Sequence, residues 1–126
     1  MYEVMVQACF SAAHRLMEYS GKCENLHGHN WKVEAVVGSA RLNDIGMVID
    51  FKEARERLNQ VIRDLDHTNL NELPYFKEVN PTSENIAKHL YSRLSDLIKK
   101  KGLKVKRVLV WETDSSCASY FENMGS

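Results

Sequence analysis

Cys23-Glu24-Asn25-Leu26-His27-Gly28-His29-Asn30-Trp31-Lys32-Val33-Glu34-Ala35-Val36-Val37-Gly38-Ser39 is the stretch from which the fold is read. Its second part alternates. Over residues 30–39, Trp31, Val33, Ala35 and Val37 fall on one side, with Lys32, Glu34 and Val36 on the other. That is the pattern of a strand with one buried face. Its first part closes a long loop, residues 15–29, and packs a thiol, a carboxylate and two imidazoles close together. His27 and His29 are two apart. With Gly28 at the start of an extended segment, their rings leave the same face.

The same alternation marks residues 2–14, where Val4, Val6, Ala8, Phe10, Ala12 and His14 share a face. If the two strands pair antiparallel, the end of the first lies beside the start of the second. His14 then meets His27 and His29. Three neutral imidazoles with an open fourth position describe a catalytic zinc site, in which the metal polarises oxygen. Two readings of Cys23 stand: a fourth ligand, or a thiolate base just outside the coordination shell. His67 and His89, each taken alone, read as ordinary surface or core residues.

Further along, Asn43-Asp44-Ile45-Gly46 is a turn signal, and Met47-Val48-Ile49 a short extended run. Asp50 reads as an N-cap with Glu53 completing a capping box. A helix over 51–65 follows, its buried stripe formed by Phe51, Ala54, Leu58, Val61, Ile62 and Leu65. Asp66-His67 ends it, either as an acid–base pair or as a histidine favoured by the helix dipole. A second helix starts at Thr82 or Ser83 and buries Ile86, Leu90, Leu94 and Leu97. Lys99-Lys100-Lys101 suits its end, and Gly102 its C′ position. Strands over 104–112 and 116–122 flank a turn at 113–115. Two strands, two helices and two strands predict an α+β sandwich: a four-stranded antiparallel sheet with both helices on one face.

The chain has 126 residues, enough for one domain, placed at 1–122 with a patternless tail at 123–126. Hydrophobic residues at 44% and charged residues at 27% describe a folded domain rather than disorder. Seventeen basic and seventeen acidic residues cancel, which counts against a nucleic-acid partner. Cys9, Cys23 and Cys117 cannot all pair within one chain, so reduced thiols are expected. There is no signal-peptide pattern at the N-terminus and no apolar run approaching a membrane span, so a cytoplasmic protein without a membrane partner is expected.

With these residues placed, the chain resembles the 6-pyruvoyl-tetrahydropterin synthase family, which includes the 6-carboxy-tetrahydropterin synthases of queuosine biosynthesis. The resemblance is carried by Phe-Ser-Ala-Ala-His at 10–14, Cys-x-x-x-His-Gly-His at 23–29 and Val-Ile-Asp-Phe at 48–51. It continues through Leu-Asp-His at 65–67, Asn-Leu-Asn at 69–71, Pro-Thr-Ser-Glu-Asn at 81–85 and Glu-Thr at 112–113. It implies a tunnelling fold whose trimers join edge to edge into a β-barrel and stack as a homohexamer, with active sites shared between subunits. It implies Zn2+ on His14, His27 and His29, Cys23 as base, and Asp66 with His67 as a relay from a neighbouring subunit. Glu112 would anchor the pterin, and Thr82, Ser83 and Glu84 would line or support its pocket. The implied reaction is a zinc-dependent lyase step on 7,8-dihydroneopterin triphosphate that yields 6-carboxy-5,6,7,8-tetrahydropterin, acetaldehyde and triphosphate. One position departs from the simplest pattern: Glu24 follows Cys23. Either it is a solvated loop carboxylate, or it is a second catalytic base as in the folate-type subgroup, which leaves 6-hydroxymethyl-dihydropterin. 6-Pyruvoyl-tetrahydropterin formation and a non-enzymatic pterin- or purine-binding module are the remaining alternatives.

Overall fold

A computed structural model describes residues 1–17, 25–100 and 102–122. Strand β1 (Tyr2–His14) and strand β2 (His27–Ser39) pair antiparallel along their whole length, from Tyr2 opposite Ser39 to His14 opposite His27. Strand β2 therefore begins three residues before the expected start at Asn30, because β1 still offers it a partner there. Helix α1 (Phe51–Ile62), strand β3 (Thr68–Asn69), helix α2 (Ser83–Leu97), strand β4 (Lys104–Thr113) and strand β5 (Ser116–Tyr120) complete the order.

The sheet has five strands in the order β3-β1-β2-β4-β5, not the four expected. It is mixed, because β3 runs parallel to β1, with Thr68 opposite Ala12 and Asn69 opposite Ala13. A strand of two residues carries no alternation, so nothing in its own sequence announces it. Both helices pack on the face that carries Phe10, Trp31, Val33, Ala35, Val108 and Val110, all buried. Complete burial of a side chain such as Leu58 or Leu90 contributes about 1.5–3 kcal/mol.

Helix α1 starts as expected, with Asp50 accepting from the Lys52 N–H at 2.8 Å. The capping box is not made: the Glu53 carboxylate instead takes Lys100 Nζ at 2.6 Å. Phe51 is 54% exposed and leaves the stripe, since the first turn overhangs the core. The helix stops at Ile62, and Leu65 is buried from the turn that follows. In α2 the Thr82 hydroxyl accepts from the Asn85 N–H at 3.1 Å. Leu97 is only half-buried, while Ala87 and Tyr91 join the core. Ile98 leaves the helical region and turns inward, so the helix ends before the lysines. Gly102, with φ of +85°, serves the turn leading to β4 rather than the helix cap. Strand β5 ends at Tyr120, two residues short of the expected 122. Among the described residues, no helix is long and apolar enough to cross a membrane.

Candidate metal centre

The register of β1 and β2 builds the site. His14 stands opposite His27, and Ala12 opposite His29. All three rings therefore leave the helix side of the sheet at the end of the hairpin where the chain passes from β1 to β2. Their centroids lie 4.7 Å (His14–His27), 5.3 Å (His14–His29) and 4.8 Å (His27–His29) apart, each pair edge to face. Trp31 forms the wall behind them, 4.9 Å from His14 and 5.3 Å from His29. Its indole N–H donates to the Ala12 carbonyl at 3.2 Å, which fixes that wall.

Two backbone carbonyls select the ring nitrogens. His14 Nδ1 lies 2.8 Å from the Pro81 carbonyl, and His27 Nδ1 lies 2.9 Å from the Asn25 carbonyl. A carbonyl only accepts, so each Nδ1 carries a proton, and in the neutral ring that leaves the lone pair on Nε2. That orientation is the usual outer support of a metal-binding histidine.

The fourth member is Glu112. Lys32 is paired with Trp111, so one step along β4 the Glu112 side chain falls on the helix side, with Val108 and Val110. Its Oε1 lies 3.1 Å from both His14 Nε2 and His29 Nε2. His14 Nε2 is buried and takes no hydrogen bond. With the ring neutral, this lone pair and the carboxylate oxygen repel unless a cation stands between them. The ligand atoms of His14, His27, His29 and Glu112 all lie within 4.8 Å of one another. Imidazole nitrogens with one carboxylate oxygen are a donor set suited to Zn2+, so the residues present fit the expected metal.

Asp66 and His67 form a second constellation. The Asp66 carboxylate accepts the Ser11 N–H at 2.9 Å, and His67 Nδ1–H donates to the same oxygen at 3.0 Å. The Ser11 N–H, and after it the charge and hydrogen bond of His67, hold this carboxyl below its usual range, against an opposing effect of burial. His67 has φ of +59°, a strained conformation for a residue with a Cβ. The His67 N–H donates to the Ser11 carbonyl at 2.6 Å, which holds it there. The ring is 82% exposed. It lines a cavity of about 370 Å³ together with His29 and with Ser11, Ala13, Gly28 and Asn30, whose side of the sheet is the one without helices.

Glu112 thus stands at the histidine cluster. Thr82 is spent on the cap of α2, Ser83 is half-buried and Glu84 exposed, all beside the Pro81 carbonyl that supports His14. Cys23 and Glu24 lie outside the described residues. The supporting carbonyls of Pro81 and Asn25 were not foreseen. Pro81 is 67 positions from His14, and a backbone carbonyl leaves no mark in a sequence.

Residues 3–123 match the family profile described as 6-pyruvoyl tetrahydropterin synthase. The chain belongs to that family. It is 36% identical over 126 residues to the 6-carboxy-5,6,7,8-tetrahydropterin synthase of Synechocystis sp., covering 96% of this chain and 94% of the relative. It is 33% identical over 132 residues to the 6-pyruvoyl tetrahydrobiopterin synthase of Homo sapiens, covering 94% and 90%. Among solved structures, the 6-pyruvoyl tetrahydropterin synthase of Caenorhabditis elegans superposes with a TM-score of 0.83 at 27% identity, covering 97% and 96%. The protein is therefore a tetrahydropterin synthase family enzyme of the lyase type, and its α+β fold is that of the synthases.

Proposed function

We propose that this family member converts 7,8-dihydroneopterin triphosphate to 6-carboxy-5,6,7,8-tetrahydropterin, releasing acetaldehyde and triphosphate, as a step toward queuosine. The convergence of three imidazoles, each at the same hairpin end, carries the reading. The choice of product is supported by the 6-carboxy names of the relatives from Synechocystis and Aquifex aeolicus.

His14, His27 and His29 hold Zn2+ in this reading, and the metal, when bound, acidifies side-chain hydroxyls of the substrate and the adjoining C–H. Cys23 takes the proton from carbon. Its ordinary pKa of about 8.5 leaves part of it as thiolate near neutrality, and a cationic neighbour raises that fraction. Glu112 accepts two parallel N–H bonds from the pterin edge, a charge-assisted fork that fixes the ring. Thr82, Ser83 and Glu84 border that pocket. Asp66 holds His67 Nδ1–H, which leaves Nε2 as the nitrogen that gives or takes a proton.

His67 lines its cavity with residues of the helix-free side, which fits delivery of the Asp66–His67 pair to a neighbouring copy. Among the described residues the sheet ends at β3 and β5, and sheet ends of this kind suit edge-to-edge trimers stacked as a homohexamer. A second reading rests on Glu24, adjacent to Cys23. The two bases differ by about four pK units in ordinary basicity, so a carboxylate could direct cleavage to 6-hydroxymethyl-dihydropterin. Mass spectrometry of products from Cys23→Ala and Glu24→Gln tests both readings. Cys23→Ala should lose the carboxy product. If Glu24→Gln leaves every product unchanged, Glu24 is a solvated loop residue.

A further inference from the structure

The asparagines of Asn69-Leu70-Asn71 and of the Asn80–Asn85 segment have no part in the chemistry above, yet each group holds the chain where it continues past the end of β1. In an extended chain, alternate residues present both N–H and C=O to the same edge. On the edge of β1 away from β2, Ser11 is met by Asp66 and the His67 N–H, and β3 pairs at Ala12 and Ala13. Among the described residues no further strand follows β3 along that edge, and carboxamides meet the chain there. The Arg15 N–H donates to Asn71 Oδ1 at 2.9 Å, and the Arg15 carbonyl accepts from Asn71 Nδ2 at 2.9 Å. The Met17 N–H donates to Asn80 Oδ1 at 2.8 Å, and the Met17 carbonyl accepts from Asn80 Nδ2 at 2.6 Å. Each carboxamide offers one donor and one acceptor on one edge, as the backbone of a neighbouring strand would.

Both clamps are themselves held. The Asn71 N–H donates to Asn69 Oδ1 at 3.1 Å. The Asn80 carbonyl accepts the Thr82 N–H at 2.8 Å and Asn85 Nδ2 at 2.9 Å. Asn80 also precedes Pro81, whose carbonyl fixes the ring of His14. One short segment therefore grips the chain at Met17 and orients a histidine of the cluster three residues earlier.

We propose that Asn71 and Asn80 are positioning residues of the active site. Their carboxamides extend the register of β1 past His14 as far as Met17, and so hold the His14 ring and its strand end in place. The proposal rests on the function proposed above for its kinetic consequence only. A clamp of two hydrogen bonds on a solvent-exposed edge adds little to global stability, but a displacement of about 1 Å in an active site costs up to about 100-fold in rate.

The test uses the zinc-loaded full chain and the variants Asn71→Ala and Asn80→Ala, with isosteric Asn71→Asp and Asn80→Asp should the alanine forms not fold. The aspartates keep the acceptor but set an oxygen against the clamped carbonyl. Amide exchange at Arg15 in the Asn71 variants and at Met17 in the Asn80 variants should rise about tenfold in the alanine forms, with Val33 unchanged. Turnover of dihydroneopterin triphosphate should fall about 10- to 100-fold in kcat with KM within about twofold. Chelator competition should strip zinc from Asn80→Ala more readily than from the unaltered protein. Faster exchange with unchanged kcat and unchanged zinc retention would overturn the proposal, as would unchanged exchange. If the unaltered protein does not turn over this substrate, the proposed function fails, and exchange with zinc retention still decides the clamps.

Discussion

The Nδ1–H of His14 donates to the carbonyl of Pro81 across 2.8 Å, and this bond decides which nitrogen of the ring is left for a metal. The carbonyl sits just before α2, so the start of a helix on one layer sets the chemistry of a strand end on the other. Zinc should therefore stabilise the folded chain by linkage, by about 2.7 kcal/mol at a free concentration 100 times the dissociation constant. Thermal melts with zinc and with chelator check this. His27→Ala should abolish the difference, and an equal zinc response in that variant would count against the three-histidine site.

Glu112 touches the same cluster, which sets two roles against each other. As the anchor of the pterin, it can be lost without losing the metal. Glu112→Gln should then retain zinc by elemental analysis while substrate affinity falls about 10- to 100-fold, the equivalent of about 1.5–3 kcal/mol for a charged hydrogen bond. Loss of zinc with Glu112→Gln would make it a fourth ligand instead.

The carboxyl of Asp66 is held below its usual value of 3.8 by the Ser11 N–H, and next by His67. A lowered folded-state pKa stabilises the fold above the unfolded value, and the contribution is lost as pH falls through the folded one. Asp66→Asn should accordingly lower the melting temperature at pH 7. Its deficit should narrow once pH drops below 3.8. A deficit independent of pH would mean that the carboxylate charge plays no part in holding Ser11.

His67 is kept at φ of +59° by the Ser11 carbonyl and exposes its ring. Glycine adopts that conformation without strain. His67→Gly relieves that strain and removes the exposed ring's pairing with Asp66, so denaturant unfolding should shift by no more than about 1 kcal/mol while turnover is abolished. A clear destabilisation would show that the ring, not its reactivity, is what the strained position preserves.

If the Asp66–His67 pair serves a neighbouring copy, two inactive forms should complement each other. Cys23→Ala and His67→Ala subunits, dissociated and reassembled together, should recover part of the activity. Verified mixed oligomers without recovery, or a fully active monomer, would contradict the shared site.

Much of this site is legible in residue order, because a hairpin end is a local object. Alternation puts His14 and His29 on the faces of Phe10 and Trp31, and antiparallel pairing brings them together with no long-range information. Glu112 shares a face with Val108 and Val110 by the same counting, which foretells its side of the sheet though not its contact with the histidines. The two-residue strand β3 is defined by what Ser11, Ala12 and Ala13 offer it, not by its own residues. Phe51 falls on the apolar stripe by angle, but its exposure depends on where the core ends. The Pro81 carbonyl and the carboxamides of Asn71 and Asn80 act through tertiary contacts, and motifs mark such residues without saying what they hold.

Incubation of the zinc-loaded protein with 7,8-dihydroneopterin triphosphate, with products read by mass spectrometry, tests the central claim most directly. 6-Carboxy-5,6,7,8-tetrahydropterin should accumulate with acetaldehyde, and the His29→Ala variant should form neither. Unchanged substrate with the loaded protein, or equal turnover in a rigorously metal-free preparation, would contradict the account.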